Sequence, residues 1–162
     1  LWQGITIIKE EAMPEKETLE RAEQDKREGK SPSTQAGEFV REEIHHIREG
    51  KHGAASAKQA VAIGLSKARR AGVDLAPPKR GSVSEKTRKA AARDSKRGHS
   101  RKKKAVSATR SRSSEKPLKS EPRSAASHEA LSRQAKSTAR TRKKSATRTT
   151  HSRRAQSSRK AA

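Results

Sequence analysis

The sequence predicts an all-α fold: a small helical hairpin, led by a charged N-terminal helix and followed by a long, largely disordered basic C-terminal tail. Three observations predict it. Hydrophobic residues are 28% of the 162 and charged residues 36%, against roughly 45–50% and about 25% in ordinary domains, so most of the chain lacks the apolar surface that offsets folding entropy. Apolar residues recur at helical spacing over a useful length only between Ser33 and Pro78. Charge is segregated: residues 1–50 hold 8 Lys/Arg and 12 Asp/Glu (net −4), residues 51–80 hold 7 and 1 (net +6), and residues 81–162 hold 26 and 5 (net +21).

Residues 1–12 differ in style from the rest of the chain, with the single Trp and the cluster Ile5 to Ile8. Codons for Lys9-Glu10-Glu11 can spell a bacterial ribosome-binding sequence just ahead of Met13. The stretch is therefore expected to be a translated leader with Met13 as the start, or else a short disordered or hydrophobic arm. Residues 13–30 form a charged helix. Pro14 suits its first turn, Glu15 and Glu17 complement the positive end of the dipole, and Lys26 and Arg27 the negative end. Glu17 and Arg21 make an i,i+4 pair, and only Leu19 and Ala22 offer core contacts. Ser31-Pro32-Ser33 breaks this helix.

The hairpin domain spans 33–78. Ser33 or Thr34 is placed to cap its first helix, which ends at Gly50. Ala36, Phe39, Val40, Ile44 and Ile47 share one face, while Glu38, Glu42, His45 and Glu49 lie opposite and are expected in solvent. Glu43 falls on the apolar side, which calls for an Arg or Lys partner or a shallow interface. After the turn at Lys51-His52-Gly53, Ser56 and Gln59 form a capping box that opens a second helix to Ala71. Its apolar stripe is Ala57, Ala60, Val61, Gly64, Leu65, Ala68 and Ala71. Gly64 costs a helix about 1 kcal/mol relative to Ala, so its place implies close approach of a neighbouring helix. Gly72 followed by Val73 reads as a left-handed C-cap, and Pro77-Pro78 ends the unit. A two-helix unit of such small side chains is too small to stand alone and is expected to need self-association or a partner.

Residues 79–98 read as a basic helix or linker, with Ser82 and Glu85 as its capping box and Gly98 as its stop. Residues 99–162 are a disordered tail rich in Lys, Arg, Ser, Thr and Ala. Its phrase at Lys103 to Arg110 recurs in part at Lys143 to Arg148. Ser111 and Ser113 sit beside basic residues, where phosphorylation would lower the tail charge.

Absence of cysteine excludes disulfides, thiolate zinc sites and cysteine nucleophiles. No apolar run reaches the roughly 20 residues of a spanning helix, and no signal-peptide layout is present, so a cytoplasmic protein without membrane contact is expected. No glycine-framed nucleophile, phosphate-cradling loop or convergent carboxylate pair appears, which argues against an enzyme. His45, His46 and His52 suggest a metal site, but adjacent helical residues point about 100° apart and do not readily share an ion, and His45 between Glu42 and Glu49 more simply makes an exposed charge network. No metal and no cofactor are expected.

The basic tail is the functional signal. Lys and Arg neutralise phosphates and release counterions without reading sequence, and about 8 engaged cations would give a log–log salt slope near −7 on duplex DNA. Aromatic stacking platforms for single strands are missing. The candidate nucleic-acid-binding residues are Lys58, Arg69 and Arg70 in the hairpin. After it come Lys79, Arg80, Lys86, Arg88, Lys89, Arg93, Lys96 and Arg97. The tail adds Arg101, Lys102, Lys103, Lys104, Arg110, Arg112, Arg140, Arg142, Lys143, Lys144, Arg148, Arg153, Arg154, Arg159 and Lys160. A helix-turn-helix reading, with Ser56 to Ala71 as recognition helix, is weakened by the acids on the first helix.

The stretch GEFVREEIHHIREGKHGAASAKQAVAIGLSKARRAGVDLAPP, Gly37 to Pro78, resembles a bacterial family of small basic proteins carrying a domain of unknown function. The run at Ser56 to Gly72 is its most recognisable part. Ala55 stands where a basic residue is expected in relatives and Ala76 where proline is. The resemblance implies no catalytic or binding residue. The tail separately resembles bacterial linker-histone-like tails. These readings converge on a non-enzymatic, nucleoid-associated protein that binds DNA largely without sequence specificity. The alternatives are a protein-interaction adaptor tethered to nucleic acid and an RNA-binding accessory protein.

Overall fold

A computed structural model describes residues 14–100 and 108–160. The expectations for residues 1–12 and for Met13 as a start lie outside the described residues, as does most of the phrase at Lys103 to Arg110. The described residues hold six α-helices in order: α1 (Lys16–Arg27), α2 (Pro32–Glu49), α3 (Ala57–Ala71), α4 (Glu85–Gly98), α5 (Ala108–Ser120) and α6 (His128–Lys160), with a 3₁₀ turn at Arg123–Ala126. Among the described residues there is no strand, only an isolated bridge between Arg80 and Val83. The fold is all-α. The chain divides after Ala126 into two compact units.

The first unit is built on α2 and α3. Ser31, rather than Ser33 or Thr34, caps α2: its hydroxyl accepts the Thr34 N–H at 3.3 Å, and Pro32 takes the first turn, where its missing N–H leaves no bond unmade. The triplet that ends one helix therefore also begins the next. Ser56 caps α3 by accepting the Gln59 N–H at 3.2 Å, and Gln59 Oε1 accepts the Ala55 N–H at 3.0 Å, one residue before the reciprocal donor of a standard box. Gly50 and Gly72 close the two helices at φ 82° and 99°, conformations that a side chain disfavours. Val73 is buried just beyond.

The two helices run antiparallel. Ala60, early in α3, shares an apolar cluster with Ile47 at the end of α2, whereas Ala68, late in α3, lies with Ala36 and Phe39. Between the clusters the backbones come close at Gly64, where a Cβ would stand 2.7 Å from Val40 Cα. Val40, Ile44, Val61 and Leu65 are half-buried, and Ala71, expected in the apolar stripe, is exposed.

α1 lies along α2. Leu19 and Ala22 join the Phe39 cluster, Arg21 Nε donates to Glu38 Oε2 at 2.8 Å, and the Glu15 N–H donates to Glu42 Oε2 at 3.2 Å. The Glu17–Arg21 pair forms as expected. α4 docks on α3 through buried Ala91 and through Gly98, whose backbone abuts Arg69 and Gly72. Its cap is Ser84, which accepts the Thr87 N–H at 3.2 Å, while the Ser82 hydroxyl donates to Lys79 O at 2.6 Å and closes the preceding turn instead.

The expectation of a disordered tail from His99 onward fails between Leu118 and Ala126. The Gly53 N–H donates to Leu118 O at 2.8 Å and the Ala54 N–H to Pro122 O at 3.3 Å. Arg48 Nε donates to Ala126 O at 2.9 Å. Ala125 and Ala126 complete the apolar cluster of Ile47, Ala54 and Ala60. α1, α4 and this returning segment pack on the hairpin and cover apolar surface that two helices alone leave open. The second unit is α6, a single 33-residue helix.

Candidate nucleic-acid interface

Cations are useful to a polyanion only where they reach solvent. Lys58, Arg70, Lys79, Arg80, Lys86, Lys89, Arg93, Lys96 and Arg97 are exposed. Arg69 is not: it is 6% exposed, and its guanidinium donates to Leu75 O and Ala76 O, both at 3.3 Å. Burial pushes its pKa down, opposed by the Asp94 carboxylate. Arg69 therefore ties the segment after α3 to the helix and is withdrawn from the candidate interface. Arg88 is half-buried and forked onto Glu85 at 3.0–3.2 Å, which leaves little of its charge for a phosphate. With α2 on one side and α4 on another, α3 keeps only Lys58 and Arg70 as exposed cations, a poor recognition helix.

The five exposed cations of α4 fall in one register: Lys86, Lys89, Arg93, Lys96 and Arg97, spaced i, i+3, i+7, i+10, i+11. At about 100° per residue they occupy one stripe, roughly 150° around the helix from Ala91 and Gly98, which face α3. The same spacing recurs in α6, at Arg133, Lys136, Arg140, Lys143 and Lys144, all exposed. Each stripe runs about 16 Å along its helix. Arg133 and Lys136 are missing from the sequence-based candidates, because helical register is not sought in a stretch taken as disordered. Arg142, a candidate, is exposed but lies on the opposite side of α6 from the stripe. Arg101, Lys102, Lys103 and Lys104 lie outside the described residues, as do the side chains of Arg110, Arg112, Arg148, Arg153, Arg154, Arg159 and Lys160.

A second charged group is internal. Glu42, expected in solvent, and Glu43 have side chains 1% and 0% exposed, and Lys67, 5% exposed, reaches across from α3 to both, at 3.4 and 2.8 Å. Lys67 is the basic partner that Glu43 called for. The charge network expected around His45 reduces to its pairing with Glu49 at 3.0 Å, since Glu42 has turned inward. Beside this group the ring nitrogen His52 Nε2 lies 3.3 Å from Glu43 Oε1, and His46 Nε2 lies 2.8 Å from Glu15 Oε1. Hydrogen bonds from His46 and Lys51 hold the Glu15 carboxyl below the usual carboxylate range.

Among the described residues no helix is long and apolar enough to cross a membrane. No known protein family matches the chain, and neither a curated protein nor a solved structure matches it.

Proposed function

We propose that this chain is a non-enzymatic nucleic-acid-binding protein that holds duplex DNA by phosphate neutralisation, largely without sequence specificity. The observation that carries the reading is the recurrence of one five-cation register on exposed faces of α4 and α6. Over the 16 Å of such a stripe, duplex DNA presents about ten phosphates at one charge per 1.7 Å of axis. The net +21 of residues 81–162 adds long-range attraction. In this reading the remaining tail is a basic low-complexity chain whose helices are favoured when phosphates neutralise it. The hairpin unit positions the α4 stripe. The likeness of the tail to bacterial linker-histone-like tails would place the protein at the nucleoid.

The acidic surface of α1, with exposed Glu17, Glu20 and Glu23, favours one second reading, an adaptor whose head binds a protein while the basic part tethers it to nucleic acid. Fluorescence anisotropy with duplex DNA and with RNA of equal length, in a salt series, tests the first. Salt-dependent binding of the duplex is expected. Preference for RNA would move the assignment to an RNA-binding accessory protein, and no binding of either would remove it.

A further inference from the structure

Where the α2–α3 turn folds back on α2, Glu43, His46 and His52 each bring one ligand-type atom to within 4.8 Å of the other two. Glu43 and His46 lie three residues apart and so on one face of α2, and His52 enters from the turn. His45, the neighbour in sequence, points away and pairs with Glu49.

Three features distinguish this cluster from a chance gathering of polar groups. All three side chains are sheltered, with Glu43 0%, His46 4% and His52 11% exposed. Neither Glu43 oxygen receives a hydrogen bond of acceptable geometry, although Lys67 Nζ stands 2.8 Å from Oε2 and His52 Nε2 3.3 Å from Oε1. A buried carboxylate left so is costly, and an ion on Oε1 would satisfy it. Finally, both imidazoles are held from outside. His52 Nδ1 is 3.1 Å from Gly53 O, so Nδ1–H donates there and Nε2 is the nitrogen that faces Glu43. His46 Nε2 is held by Glu15 at 2.8 Å. Carboxylate and carbonyl partners of this kind orient metal-binding histidines.

We propose that Glu43, His46 and His52 form a binding site for a divalent transition-metal ion, with zinc the best match. Three atoms no more than 4.8 Å apart all lie within about 2.8 Å of a common point, so side-chain shifts below 1 Å reach the ~2.0–2.2 Å of zinc–nitrogen and zinc–oxygen bonds. The 3.3 Å between His52 Nε2 and Glu43 Oε1 already equals a tetrahedral edge at those bond lengths, about 3.3–3.6 Å. Charge agrees as well: Glu15, Glu42, Glu43 and Glu49 face Lys51 and Lys67 here, so carboxylates outnumber ammonium groups by two. Lys67 keeps Glu42 and Glu43 Oε2 while the ion takes Oε1, and water completes the tetrahedron. The ion would pin the end of α2 to the turn on which Leu118 to Ala126 dock. This proposal does not depend on nucleic-acid binding.

The test is titration of the metal-free full-length chain with Co²⁺, read by visible d–d absorption, with Zn²⁺ displacement giving the affinity. One equivalent should bind tetrahedrally. His52→Ala should weaken binding by about 100-fold or more, whereas His45→Ala and the combined His99→Ala, His128→Ala and His151→Ala variant should not change it. Should His52→Ala lose its helical circular dichroism, Glu15→Gln serves instead: this half-exposed residue lies outside the three ligands, and its loss should weaken binding about 10-fold. No saturable one-equivalent binding, or affinity that tracks His45 or the three distal histidines, would overturn the site.

Discussion

Gly64→Ala separates helix propensity from helix packing. In an isolated helix the change is favourable by about 1 kcal/mol. In this protein the added methyl would stand 2.7 Å from Val40 Cα, 3.0 Å from Phe39 O and 3.0 Å from Val40 Cγ2. The first two are backbone atoms that no rotamer change can move, so α2 and α3 must part by roughly 0.7 Å to restore ordinary contact. Overpacking of this kind costs about 1–3 kcal/mol. With the propensity gain subtracted, the net destabilisation is about 0–2 kcal/mol, or up to roughly 16 °C in Tm for a unit of this size. Thermal melts monitored by circular dichroism at 222 nm measure it, with Gly37→Ala as the control. Gly37 is also helical, and nothing lies within 4 Å of its added Cβ, so that variant should gain about 0.5–1 kcal/mol. A Gly64→Ala protein stabilised as much as Gly37→Ala would refute the close crossing of α2 and α3.

Four further perturbations have defined outcomes. Lys67→Ala leaves Glu42 and Glu43 buried without their cation and should cost about 3–5 kcal/mol by urea unfolding. Ser56→Ala removes the acceptor of the Gln59 N–H at 3.2 Å and should cost about 1 kcal/mol in the same assay. Ending the chain at Ser100 deletes the partners of Arg48, Gly53 and Ala54, and should lower Tm and speed amide exchange in the α2–α3 turn. Lys86→Gln, Lys89→Gln and Arg93→Gln together should leave the melt unchanged and reduce the salt slope of duplex binding by about 3.

The hairpin is legible in the sequence because its signals are local. Ser56, Gly50 and Gly72 act on the backbone next to them, and the apolar periodicity of α2 needs no knowledge of its partner. Gly64 is legible for the converse reason, as a residue that a solitary helix would not choose. Contacts distant along the chain set the rest. Glu42 looks solvent-facing on a wheel of α2, because the wheel does not contain Lys67 or the Glu15 N–H. Arg69 looks like a phosphate ligand until the carbonyls of Leu75 and Ala76 turn back onto it. The docking of Leu118 to Ala126 leaves no periodic trace, since two alanines and backbone hydrogen bonds carry it. The cluster of Glu43, His46 and His52 is hidden behind the more conspicuous adjacent pair: His45 and His46 do diverge, but His46 finds its neighbour across the turn.

Ordered cations meeting phosphates are the basis of the proposed function, and the slope of log affinity against log salt for a duplex counts them directly. Two five-cation stripes, with at least eight cations engaged, predict a slope of about −7 or steeper for the full-length chain. Neutralising the stripe of α6 through Arg133, Lys136, Arg140, Lys143 and Lys144 should lower it by about 4–5. A slope near zero, or one that those five substitutions leave unchanged, would contradict the claim.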